Sequence, residues 1–80
     1  MAVSPERKVY VTDQKPNRVQ VFDLDGKFLF TIGRPGRGPG EFDQPEDLCI
    51  DAQGNLWVAD GDNHRLQVFT KDGAFLRLIE

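Results

Sequence analysis

Sliding the chain along itself by 47 positions aligns residues 1–33 with residues 48–80 without a gap, and this duplication constrains the fold more than any single motif does. Identical pairs are Val11/Val58, Asp13/Asp60, Arg18/Arg65, Gln20/Gln67, Val21/Val68, Phe22/Phe69, Asp25/Asp72, Gly26/Gly73, Phe28/Phe75, Leu29/Leu76 and Ile32/Ile79. Val9/Leu56, Tyr10/Trp57 and Val19/Leu66 keep apolar positions apolar. Two copies of one structural unit are therefore expected, residues 1–33 and 48–80, joined by a connector over residues 34–47.

Each unit is expected to be all-β. In the second copy, Leu48–Asp51, Leu56–Asp60, Leu66–Thr70 and Phe75–Ile79 are strand-length and apolar-rich. Gly54, Gly61-Asp62-Asn63 and Asp72-Gly73 separate them, residues that accept the backbone angles of tight turns. No stretch of ten residues carries a helical apolar period free of Gly or Pro. Eight short strands are expected, four per copy. Within Leu56–Asp60, Leu56 and Val58 face one way and Trp57 and Ala59 the other. In Leu66–Phe69, Leu66 and Val68 oppose Gln67 and Phe69. Both faces carry apolar groups, so each sheet needs a neighbour on each side. Two stacked sheets leave two such faces uncovered, and closure into a ring removes them.

The motifs then become specific: Gly-Pro-Gly-Glu-Phe-Asp-Gln-Pro at residues 38–45, Asp51-x-x-Gly54-Asn55, Trp57-Val58-Ala59-Asp60, and Asn63-His64-Arg65-Leu66-Gln67-Val68-Phe69 followed by Asp72-Gly73. Over essentially its whole length the chain resembles the NHL repeat, and the resemblance implies two blades of a β-propeller. The first copy departs from the pattern. It lacks the Gly-x-Phe-x-x-Pro entry segment, has Pro5-Glu6-Arg7-Lys8 for Ala52-Gln53-Gly54-Asn55, and has Pro16 for Asn63. A left-handed Arg7 would be awkward, so a different or looser turn is expected there. NHL propellers commonly have six blades, which three copies of this chain would complete; four copies giving eight blades would satisfy the same faces. The register, from the innermost strand of one blade to the outermost of the next, fits an excised or engineered subunit, and equally a fragment of a longer protein closed by neighbouring protomers.

Composition supports assembly and narrows the partners. An 80-residue domain without staples gains only roughly 3–5 kcal/mol from its core. The single cysteine, Cys49, forms no disulfide within the chain, and no Cys/His spacing suggests zinc. No cofactor is expected. Hydrophobic residues at 39% suit a packed domain. The net charge of −3 comes from interspersed charges, which argues against nucleic acid. Neither a leader nor a membrane-crossing run is read, so the chain is expected to be soluble; a lone cysteine fits a reducing compartment such as the cytoplasm.

Four strands in up-down order place the turn 14–17, the turn 61–64 and the connector at one end. Loops on a rigid scaffold are where binding usually resides. Lys15, Arg34, Arg37, Asp62 and His64 are therefore the candidate partner-binding residues, and Arg34 and Arg37 would suit an acidic protein surface. Asp13, Arg18, Asp60 and Arg65 recur in both copies and read as structural devices, the aspartates accepting turn N–H bonds and the arginines tying loops. A metal cluster of Asp60, Asp62 and His64 is set aside, because His64 has Asn17 as its counterpart. The glycine-rich connector lacks the following helix of a phosphate cradle and reads as a flexible crossing, with Phe42 and Pro45 docking its far end. Cys49 aligns with Ala2 and reads as a buried inert thiol. No catalytic set is visible. The leading expectation is a non-catalytic unit whose partner is itself, as trimer or tetramer. The alternatives are a protein- or RNA-binding module and a slice of a propeller lactonase or lyase.

Overall fold

β-Branched and aromatic residues alternating between short Asp/Gly turns produce antiparallel strands in both copies. The computed structural model describes residues 1–15 and 17–80; the expected departure at Pro16 lies outside the described residues. Sheet 1 contains β1 (Ala2–Val3), β2 (Lys8–Asp13), β3 (Arg18–Asp23) and β4 (Phe28–Ile32) in sequential order. The connector holds a small parallel pair, β5 (Arg34–Pro35) with β6 (Glu41–Phe42). Sheet 2 contains β7 (Pro45–Ile50), β8 (Leu56–Asp60), β9 (Arg65–Phe69) and β10 (Phe75–Ile79), again in sequential order. One 3-10 turn, Gly61–Asn63, links β8 to β9. The eight sheet strands agree with the all-β expectation, whereas β5 and β6 were not foreseen.

The two copies share registers as well as letters. Tyr10 lies opposite Val21 and Val11 opposite Gln20; Trp57 lies opposite Val68 and Val58 opposite Gln67. Each sheet therefore divides its side chains in the same way. Sheet 1 turns Tyr10, Val19, Val21 and Ile32 towards sheet 2, which answers with Leu48, Leu56, Val58 and Phe69. Phe42 of the connector joins this buried cluster. Full burial of such a side chain is worth roughly 1.5–3 kcal/mol, so this interface is the main source of cohesion. At the end opposite the connector, the Tyr10 hydroxyl donates to the Lys71 carbonyl (3.0 Å) and Lys71 pairs with Glu6 (2.6 Å). Burial is the leading reason the Tyr10 phenol titrates above its ordinary range.

The remaining two faces are uncovered. Sheet 1 presents Val3, Val9, Val11 and Phe22, with Phe28 52% exposed beside them. Sheet 2 presents Cys49, Trp57, Leu66 and Ile79. The buried thiol expected at Cys49 is thus corrected: its side chain belongs to the uncovered face and is exposed.

The first turn corrects a second expectation. Arg7 adopts φ 66°, and its N–H donates to the Ser4 carbonyl while Ser4 N–H donates to the Lys8 carbonyl. Gly54 and Asp51 repeat this pattern with φ 82° at Gly54. Ser4 Oγ takes the Lys8 N–H as Asp51 Oδ1 takes the Asn55 N–H, and this shared anchor holds Arg7 left-handed despite a cost of about 1–2 kcal/mol.

Candidate functional site

The densest polar cluster lies where the connector crosses sheet 2. Asp60 ends β8 and Arg65 opens β9, so antiparallel pairing sets them side by side, with Gln67 two residues further along the same face. Asp60 is fully buried and accepts four hydrogen bonds. The donors are the Asp43 N–H (2.7 Å), Asn63 Nδ2 (2.9 Å), Arg65 Nε (2.9 Å) and Gln67 Nε2 (3.1 Å). With its acceptor positions taken, this carboxylate is committed to structure rather than to proton transfer.

Arg65 spreads its fork over the connector, donating to the carbonyls of Arg37 (2.8 Å), Gly38 (2.9 Å) and Glu41 (3.0 Å). Gln67 clamps the same segment reciprocally: Nε2 donates to the Glu41 carbonyl (2.6 Å) and Oε1 accepts from the Gly40 N–H (2.8 Å). The connector also braces itself. Glu41 accepts from the Gly38 N–H (2.9 Å) and from Arg34 Nε (2.9 Å), and these two contacts, the first the stronger, hold its carboxyl below the ordinary range. A Cβ on Gly33 would come within 2.2 Å of the Phe42 ring, which explains a glycine where the other copy has Glu80. The flexible crossing expected here is therefore corrected to an ordered clamp, because its backbone groups find side-chain partners that local sequence does not reveal.

Sheet 1 grips the connector from the other side. Asn17 Oδ1 accepts the Gln44 N–H (3.0 Å), and the Thr12 hydroxyl reaches the Glu46 carbonyl (3.5 Å). The 3-10 turn contributes Gly61 and Asp62 N–H groups to the carbonyls of Gln44 and Asp43, while Asn63 Nδ2 donates to the Gly36 carbonyl. Asn17, the turn 61–64 and the connector thus lie at one end of the molecule.

The candidate partner-binding residues differ in their surroundings. Lys15 is exposed and gives its backbone N–H to Asp13 Oδ1 (3.1 Å). Arg34 is taken up by Glu41, whereas Arg37, Asp62 and His64 are exposed. His64 closes the 3-10 turn at φ 55° and borders an open groove of about 380 Å³ with Ala59, Leu66 and Ile79. Among the described residues no three His, Cys, Asp or Glu side chains gather as metal ligands, and Asp60 is directed into the clamp while Asp62 and His64 are exposed. Asp13 and Arg18 lie opposite one another in the register that pairs Asp60 with Arg65. Gln20, Gln67, Asn17 and Asn63 were missed as site residues. The available signal was Gln20/Gln67, an identical polar pair flanked by apolar residues on a strand face.

Four-stranded antiparallel sheets stacked face to face, the second entered from the first by a connector at one end, form a blade-on-blade arrangement. Residues 4–60 match the family described as the 6-bladed beta-propeller. The chain belongs to this family. Sheets 1 and 2 are accordingly two propeller blades, and the 80 residues form a fragment of a six-bladed propeller domain. The clamp of Asp60, Arg65 and Gln67 is the device by which the second blade receives the connector from the first.

Proposed function

We propose that the chain is a non-catalytic assembly unit of NHL type that completes a propeller ring with copies of itself, three chains supplying six blades. One observation carries this reading: the uncovered face of blade 1 presents Val9, Val11, Gln20 and Phe22 at the positions of Leu56, Val58, Gln67 and Phe69, which blade 1 covers within the chain. The uncovered face of blade 2 presents Trp57, Leu66 and Ile79 at the positions of Tyr10, Val19 and Ile32, while Val68, at the position of Val21, is already buried. The contact inside one chain is thus a template for the contact between chains. Such a contact is heterologous, and it forms a ring where its rotation closes. Six blades in the family and two in the chain favour the trimer. The covering of two apolar faces supplies the driving force, at about 25 cal/mol per Å².

Sedimentation equilibrium tests the proposal. A mass near three times that of one chain is expected over a range of concentrations. A single-chain mass throughout that range rejects self-assembly, and a four-chain mass rejects the six-bladed ring.

A further inference from the structure

The residues that clamp the connector on blade 2 recur on blade 1, where among the described residues no segment is held by them. Asp13, Arg18 and Gln20 repeat Asp60, Arg65 and Gln67 on the same strands and the same face. Their bonding differs. Among the described residues Asp13 accepts from the Lys15 N–H and from Gln20 Nε2, and Arg18 Nε is buried without a hydrogen-bond partner. Phe22 is half-buried, whereas its counterpart Phe69 is buried with its ring 5.6 Å from that of Phe42. Among the described residues one connector of this kind occurs, and it lies against blade 2.

A buried guanidinium nitrogen without an acceptor is costly, and any carbonyl that reaches it removes that cost. We propose that Asp13, Arg18, Gln20 and Phe22 form a peptide-binding seat on the uncovered face of blade 1. Its ligand is an extended, glycine-spaced segment ending in Glu-Phe, with the chemistry of this chain's own residues 36–42. The filled seat on blade 2 defines each role. Arg18 takes three backbone carbonyls, Gln20 takes one N–H and one carbonyl, and Asp13 takes the N–H that follows the phenylalanine, whose ring covers Phe22. The glycine spacing belongs to the segment's own bracing: a Cβ on Gly36 would come within 2.2 Å of the Glu41 carboxylate. In the ring proposed above, and resting on that reading, the groove beside His64, Leu66 and Ile79 of a neighbouring copy would form the second wall of the seat.

The probe is a capped synthetic peptide with the sequence of residues 34–45, titrated into the 80-residue chain while backbone amides are followed by NMR and mass by sedimentation. Saturable shifts centred on Asp13 to Phe22 are expected. Arg18→Ala should weaken binding by about tenfold or more, and Arg18→Lys should recover little because the planar fork is lost. A peptide carrying Phe42→Ala should bind less well, a control that leaves the protein unaltered. Absence of saturable shifts overturns the seat, as does equal binding of a scrambled peptide or undiminished binding to Arg18→Ala. The two proposals separate cleanly: saturable shifts at single-chain mass support the seat and reject the ring, whereas a trimeric mass without shifts supports the ring and rejects the seat.

Discussion

Asp13 and Asp60 carry the same letter at the same repeat position and have unequal roles. Asp60 is fully buried beneath four donors, one of them the guanidinium of Arg65, whose side chain is itself only 7% exposed. Removing one member of a buried ion pair costs about 3–5 kcal/mol, because the other charge stays buried. Asp60→Ala should therefore abolish most of the chain's stability, whereas Asp13→Ala, which gives up two lesser bonds, should cost about 1 kcal/mol. Urea unfolding of the two variants side by side checks the contrast; equal losses would show that Asp60 owes nothing to the clamp. The repeat makes both aspartates visible in the sequence, but not the difference between them. That difference depends on which one lies under a connector. Arg7 shows the same limit, since a left-handed arginine is improbable by local preference and is imposed by the Ser4 anchor.

At the scale of elements, the connector is the piece that local reasoning describes least well. Its Gly and Pro content denotes a loop, yet β5 and β6 pair in parallel and the segment is fixed to both blades. Glu41 links these levels by bracing Gly38 and Arg34 while its backbone carbonyl receives Arg65 and Gln67. Its carboxyl is depressed in the folded protein, so its stabilising contribution is present above the ordinary carboxylate range, about pH 4, and is lost as pH falls through the lower folded value. Asp51, depressed chiefly by the Trp57 indole N–H, and Glu6, depressed chiefly by Lys71, act in the same direction. The urea midpoint should accordingly drop on acidification through this range. Glu41→Gln should lower the midpoint at neutral pH and flatten the acid slope; an unchanged slope would remove Glu41 from the account. Strand positions were legible because alternation and Asp-Gly turns are local signals. The clamp was not, since its bonds to the connector join residues 17–28 positions apart along the chain.

At the scale of the whole molecule, one blade interface is formed and its two halves recur uncovered at the outer faces. Leu66, 39% exposed, stands at the position of fully buried Val19. If the outer faces meet as the inner ones do, Leu66→Asp would bury a charge at each contact between chains while costing the isolated chain little. Its sedimentation mass should fall to that of one chain with the β circular dichroism preserved; a mass equal to that of the parent chain would move the contact elsewhere. The repeat, the four strands per copy, the turn positions and the doubly apolar sheets were determined by the sequence alone, because each arises from residues near one another in the chain. Only the tertiary structure decided which face of each blade is covered, that Cys49 lies on an uncovered one, and that the connector is held by Asp60, Arg65 and Gln67. Those outcomes depend on surfaces meeting across the fold, and identical residues in the two copies acquire different environments according to what is packed against them.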